Sequence, residues 1–442
     1  MTPPPLPSYA EALRVWLRVG LLSFGGPAAQ IAVMHKEIVD ERAWVSDRRF
    51  LHALNFCTLL PGPEAQQLAT YLGWLMHGVR GGLTAGLLFI LPGAVVMLAL
   101  SAIYAGFGQV PVVSALFFGL KAAVLVLVVE ALLRLAKRAL KGVFPRVLAV
   151  VAFVALFAFD VPFPVVVLAA GVVGFFARHQ FAPASHGKAA DGPPSALDAI
   201  LDADPGRMVR MAGAAWRAGW IAVGVWLLPV ALLWAAGAGV FADVAVYFSQ
   251  MAMLTFGGAY AVLAWVAQSA VETYGWLSAQ DMLAGLGLAE TTPGPLILVL
   301  QFVGFLAGHQ AHGMLGGVAA SILTLWVTFV PCFAWIFLGA PFVERLHGQT
   351  AMSGALAAVT AAVVGVIANL SVWFGLRVLF ANVATVPIGP MRIDVPVLAS
   401  ADLGAWAIAI LAALCVFRFR LGVGKTLGLA ALAGLVLRWI GM

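Results

Sequence analysis

The sequence predicts an all-α, polytopic membrane protein made of two homologous halves, and three observations predict it. Hydrophobic residues make up 63% of the 442 positions and charged residues 10%, with a mean hydropathy of +1.01. So few polar groups cannot clothe a soluble surface. The apolar residues fall in runs of about twenty or more, as membrane helices require, rather than in the alternating segments of about ten that a barrel shows. Finally, a single ungapped shift of 232 positions lays Phe24-Gly25-Gly26 on Phe256-Gly257-Gly258, Trp44 on Trp276 and Pro61-Gly62-Pro63 on Pro293-Gly294-Pro295. That is the mark of internal duplication.

The elements follow in order. Met1–Ser8 is a proline-rich stub, and no cleavable leader is expected, because the apolar stretch behind it has the length of a span. Ala10–Met34 is the first segment, interrupted at Phe24-Gly25-Gly26-Pro27. Its Glu11, Arg14 and Arg18 share one helical stripe, expected to be ion-paired against protein or headgroups, with a substrate role as the alternative. His35–Arg49 mixes acids and bases and is expected at the interface, with Trp44 at headgroup depth. Phe50–Met76 is a broken segment. Leu83–Tyr104 and Val112–Leu133 are spans, the second carrying Lys121 and Glu130. A basic cluster, Arg134, Lys137, Arg138, Lys141 and Arg146, precedes the short pair Val147–Phe159 and Val161–Phe176.

Residues 178–210 turn to Ala, Pro, Gly, Asp and His and are expected to be a mobile, exposed cytoplasmic linker. A connecting span at residues 211–237 leads to the second half, which ends in the short segments Ala401–Val416 and Thr426–Ile440. The expected domains are therefore 1–177, 178–210, 211–237 and 238–442, with about thirteen hydrophobic segments. If the broken segments cross the bilayer, the halves are inverted and the N-terminus is inside. If they are re-entrant, the halves are parallel. Discontinuous helices in duplicated halves favour inversion.

The Pro-Gly-Pro stretches organise this plan. Two rings clash with carbonyls one turn back and two amide donors are missing, so neither stretch can be helix interior. In hydrocarbon such a break survives only where protein or a water-filled cavity covers it. Pro63 then suits the first turn of a new helix, whose N-terminus carries partial positive charge. The three cysteines, Cys57, Cys332 and Cys415, lie in apolar surroundings without ligand spacing and are expected to be packing residues. The net charge of +6 lies in short loops, as topology demands, and does not mark a nucleic-acid binder.

Ser23-Phe24-Gly25-Gly26-Pro27, the Met34-His35 and Trp44 region, the run from Leu59 to Ala69 and the stretch Gly81-Gly82-Leu83 to Leu91-Pro92-Gly93 resemble the chromate ion transporter family. The resemblance covers Ala10–Phe176 and Phe241–Met442, as in a long, two-domain member. It implies chromate efflux from a bacterial cytoplasm across the inner membrane, and chromate resistance. It implies chromate as the partner; sulfate is a candidate competitor and a homodimer a candidate assembly, while composition and charge placement point to the lipid bilayer and to no nucleic acid. Transport of sulfate or another oxyanion, an integral-membrane oxyanion reductase and a passive channel are the competing functions. No cysteine pair, haem ligand pattern or nucleotide motif supports an enzyme, and no catalytic residue, metal or cofactor is expected.

A tetrahedral dianion needs hydrogen-bond donors and countercharge. Half-helix N-termini after Gly25-Gly26, Pro61-Gly62-Pro63, Gly257-Gly258 and Pro293-Gly294-Pro295 offer partial charge. Gln30, Gln66, Gln67 and Gln301 offer amides, and Thr291 and Thr292 offer hydroxyls. Lys121 offers a full charge, unless it neutralises a buried acid. Glu64 and Glu290 flank the two breaks, where an ionised carboxylate would repel a dianion. A proton taken up with the anion would remove the conflict.

Overall fold

The computed structural model describes residues 5–24, 26–181, 195–204, 206–256, 259–340 and 350–440, with the side chains of 259–261 and 350–352 outside that description. Its helices are α1 (Tyr9–Leu22), α2 (Pro27–His35), α3 (Asp47–Cys57), α4 (Glu64–Phe107), α5 (Pro111–Ala139), α6 (Val143–Phe159), α7 (Phe163–Phe176), α8 (Ala196–Ala203) and α9 (Arg207–Ala235). Then come α10 (Val240–Leu254), α11 (Ala259–Gln268), α12 (Ala279–Thr291), α13 (Val299–Gly339), α14 (Thr350–Leu379), α15 (Leu403–Ala413) and α16 (Val423–Trp439). Among the described residues, Glu64–Phe107, Pro111–Ala139, Arg207–Ala235, Leu296–Gly339 and Ser353–Leu379 are long and apolar enough to cross a membrane. Shorter apolar helices accompany them at Val143–Phe159, Phe163–Phe176, Val240–Leu254 and Leu403–Arg418. This is a multi-pass membrane protein.

The chain divides into two compact units, each drawing on both halves of the sequence. The first comprises Met1–Ala99, Ser185–Ala259 and Thr292–Gly348; the second comprises Leu100–Ala184, Tyr260–Thr291 and Gln349–Met442.

In the first unit, α4 and α13 each fold back on themselves. The reversal falls at His77-Gly78, where φ is −132° then 66°, and at His312-Gly313, where it is −138° then 66°. Only glycine takes the positive φ cheaply. The returning arms touch through bare backbone: a Cβ on Gly73 would lie 2.4 Å from the Gly81 carbonyl oxygen, and one on Gly308 2.3 Å from that of Gly316. α13 also packs against α9 and α10. The reversals are three positions out of step with the breaks, because Leu296–Leu298 adds a short 3-10 turn before α13. Beyond the break the repeat therefore runs at a shift of 235, setting Gln66 on Gln301 and Glu64 on Val299.

In the second unit, α14 packs against α5, α6 and α7, and α16 against α5. Small residues again allow the approach: Gly174 meets Gly354 and Ala358, Gly365 meets Ala149, and Gly119 meets Ala430.

Two expectations need correction. The fold is not purely α, because Val383–Ile388 and Met391–Pro396 pair as an antiparallel hairpin, β1 and β2, turning at Gly389 with φ 61°. The stretch is rich in β-branched residues and proline, which suit a short exposed ribbon better than a helix. Asp394 fastens it, accepting from Thr385 and pairing with Arg377.

The second correction concerns the linker 178–210, expected to be mobile and exposed, of which 182–194 and 205 lie outside the described residues. Its residues 195–203 form α8, capped by Ser195, with Ala196, Leu197 and Leu201 buried. The Ala196 and Leu197 amides donate to the carbonyls of Ala43 and Trp44, and Arg49 pairs with Asp198. Eight residues are too few to show a helical period clearly, and docking to the turn at 43–49 is what holds them.

Two expectations for experiment follow. Gly73→Val and Gly308→Val should each cost about 1–3 kcal/mol by overpacking, read as a lower melting temperature in detergent. Gly213→Ala, with nothing within 4 Å, should be tolerated. Burial alone would raise the Asp198 pKa, but hydrogen bonds from Ser195, Ser46 and Arg49, and the Arg49 charge, hold it below its ordinary 3.8. A depressed carboxylate stabilises above its unfolded value and loses that contribution as pH falls through the folded one. α8 should therefore stay docked at neutral pH and loosen only below 3.8. Asp198→Asn should open the segment to limited proteolysis at pH 7 in wild-type buffer.

Candidate functional site

Within the first unit, α1 ends at Ser23 and α10 at Thr255, residues related by the shift of 232. Each hydroxyl donates to the carbonyl one turn back, Ser23 to Val19 at 2.7 Å and Thr255 to Met251 at 2.6 Å. Each backbone carbonyl then meets the glycine of the other half's break. The Gly294 amide donates to Ser23 at 2.7 Å, and the Gly62 amide to Thr255 at 2.9 Å. In Pro-Gly-Pro the glycine carries the one N–H, so a single bond satisfies every donor in the tripeptide. The positive φ of Gly62, 121°, and of Gly294, 89°, makes these positions glycine's. The four residues thus form two equivalent bonds, each joining one half of the sequence to the other.

Two glutamines brace the breaks, and two more bond within or between the helices beside them. Gln30 donates to the Gly294 carbonyl at 2.7 Å, Gln67 to Pro61 at 2.7 Å, Gln301 to Ala94 at 3.0 Å and Gln66 to the Thr70 hydroxyl at 3.0 Å. A backbone carbonyl can only accept, which fixes the amide nitrogens of Gln30, Gln67 and Gln301 toward it. One N–H of each is thereby committed to protein in this conformation. The Oε1 atoms of Gln66, Gln67 and Gln301 are buried without a protein partner among the described residues. Close packing completes the frame: a Cβ on Gly62 would lie 2.8 Å from Cys332 Sγ, and one on Gly93 2.0 Å from the Pro293 carbonyl.

A small cavity lies between the breaks, lined by Pro27, Gln30, Gly62, Pro63, Glu64, Ala65, Thr255, Pro295, Leu296 and Ile297. The first turn of α4 contributes its leading N–H groups, which have no carbonyl one turn back. Among the described lining residues Glu64 is the one ionisable side chain. The cavity is about 20 Å3, room for roughly one water molecule.

The sequence-derived candidates divide accordingly. Gly26, Gln30, Pro61, Gly62, Pro63, Glu64, Gln66, Gln67, Thr292, Pro293, Gly294, Pro295 and Gln301 belong to this unit. Gly26 caps α2 with φ 85°, and Thr292 is buried. Lys121, Glu290 and Thr291 belong to the second unit: Lys121 half-buried on α5, Glu290 buried and Thr291 exposed at the end of α12. Gly25, Gly257 and Gly258 lie outside the described residues. Sequence reasoning missed Ser23, Thr255 and Cys332. Extending the repeat alignment by one residue would have exposed the first two as paired hydroxyl residues. Cys332 has no such signal.

Gln30→Leu should leave the buried Gly294 carbonyl unpaired and cost about 1–3 kcal/mol. Thermal unfolding of the purified variant in detergent reads it, and an unchanged melting temperature would remove the brace from the account.

The chain matches the chromate transporter family over residues 10–175 and 242–437. It is 34% identical over 369 residues to a chromate transport protein of Pseudomonas aeruginosa, covering 83% of this chain and 80% of that one. It is 27% identical over 368 residues to a chromate transport protein of Cupriavidus metallidurans, covering 82% of each. An uncharacterized transporter of Methanocaldococcus jannaschii shares 24% over 375 residues, 84% of this chain and 86% of the other. No solved structure matches it. With its duplicated breaks, reciprocal glycine bonds and long matches in both halves, the chain belongs to the chromate transporter family.

Proposed function

We propose that this protein is a secondary transporter that exports chromate across the bacterial inner membrane and so confers chromate resistance. The observation that carries the reading is the cavity bounded by both Pro-Gly-Pro breaks and entered by the first turn of α4. A half-helix N-terminus at a backbone break is the arrangement by which discontinuous helices receive anionic substrates. The names of the relatives support chromate as the substrate. Gly26, Gln30, Gly62, Glu64 and Pro295 serve it in this reading, with the committed glutamine amides released when a break opens. The reciprocal bonds support a two-fold relation between repeats 1–177 and 238–442, which we take as inverted across the membrane.

Magnitudes favour export. One charge crossing 100 mV is worth about 2.3 kcal/mol, so a dianion leaving an inside-negative cell gains about 4.6. That is a concentration ratio of about three decades. The Glu64 carboxylate beside an arriving dianion is repulsive, and taking up a proton with the anion relieves it. One net negative charge then still leaves, retaining about 2.3 kcal/mol per 100 mV.

Everted vesicles carrying the full chain test this. An inside-positive potential should drive chromate uptake above empty vesicles, with sulfate competing weakly. Flux indifferent to potential, or absent, would refute secondary export. Glu64→Gln should flatten the pH dependence of flux at fixed potential; an unchanged pH profile would leave potential as the driving force without a proton.

A further inference from the structure

On a helix long and apolar enough to cross a membrane, the second unit carries a charge that no described acid pairs with at contact. Glu130 of α5 pairs with Arg134, and Arg377 of α14 pairs with Glu272 and Asp394. Lys121, half-buried on α5, makes neither an ion pair nor a hydrogen bond among the described residues. Asp281 is the acid whose charge reaches it, but other donors already hold that carboxylate. It accepts from the Tyr104 hydroxyl at 2.6 Å, the Ser278 amide at 2.9 Å and the Ser278 hydroxyl at 2.6 Å. Three donors anchor it at the start of α12, while Leu120 and Val124 of α5 pack on Gly287 of the same helix.

An ammonium has three donors and strong hydration to replace. Inside an apolar helix, without a carboxylate at contact, it is poised for an anion from outside the protein. A dianion seated there would feel the attraction of Lys121 at contact and the repulsion of the fixed Asp281 carboxylate from further off. That combination gives binding strong enough to capture and weak enough to release, as passage through a membrane requires.

We propose that Lys121 is an oxyanion-binding station of the second unit, built from none of the residues that line the cavity at the breaks, and that Asp281 sets how long the anion stays. The proposal rests on the transport reading above, with a tetrahedral oxyanion as ligand. A lysine rather than an arginine suits it, because a point charge holds a tumbling tetrahedral ion without the bidentate fit that would slow release.

The experiment is binding of radiolabelled chromate, and separately radiolabelled sulfate, to purified full-length protein by scintillation proximity, with thermal unfolding in parallel. Lys121→Met should weaken binding by at least about tenfold, the loss of a charge-assisted hydrogen bond. Lys121→Arg should keep most of it. Asp281→Asn should act in the opposite direction, tightening binding while slowing turnover in vesicles. If wild type binds sulfate but not chromate and Lys121→Met abolishes that, the station stands and the chromate reading falls. If Lys121→Met binds as wild type does, or wild type binds neither anion, the proposal is overturned. Should Lys121→Met unfold, the double variant with Asp281→Asn decides. Recovery of stability with binding still lost supports the station, whereas recovery of both makes the two residues a structural pair and overturns it.

Discussion

A buried backbone amide must be paired, and the two Pro-Gly-Pro breaks are where this chain meets that constraint. Each break has one N–H, and each is satisfied by the carbonyl at a helix end in the other half of the sequence: Gly62 by Thr255 and Gly294 by Ser23. Those carbonyls would themselves be orphans at the ends of α1 and α10. Two defects of the helix therefore cancel in pairs, and the duplicated sequence makes the cancellation happen twice. Breaking either bond would leave an amide and a carbonyl unpaired together.

The same economy explains the glycines. α4 and α13 turn back at His77-Gly78 and His312-Gly313, and their arms approach until Gly73 faces Gly81 and Gly308 faces Gly316 across bare backbone. Lipid gives no hydrophobic drive to join helices, so close van der Waals contact and backbone proximity must supply it. The hairpin arms carry Gln67, which donates to Pro61, and Gln301, which donates to Ala94 of α4.

Charges in the apolar segments find partners by different routes. Arg18, from the stripe of α1, pairs with the buried Glu37, which Arg42 also holds at 2.7 Å. Glu130 uses Arg134 one turn along its own helix, a pair readable from spacing. Arg377 reaches Asp394 in the β-hairpin, a partner no local pattern announces. Lys121 stands apart from these, and that contrast marks it.

The sequence by itself determined the membrane class, the duplication, the positions of the breaks and the family, because each is written in composition or in motifs of adjacent residues. Hydrocarbon enforces long apolar runs, and proline and glycine interrupt helices wherever they fall. The candidate site was legible as a list, since Gln30, Gly62, Glu64 and Pro295 all stand in or beside those motifs. Tertiary structure alone decided what the list does. It turned the glutamine amides from free donors into braces, gathered Ser23 and Thr255 onto the opposite glycines and assigned Lys121 and Glu290 to the second unit. It also docked 195–203 and formed the hairpin at 383–396. These outcomes depend on which distant carbonyl or carboxylate comes within about 3 Å of a donor, and no spacing along one chain encodes a distance between segments two hundred residues apart.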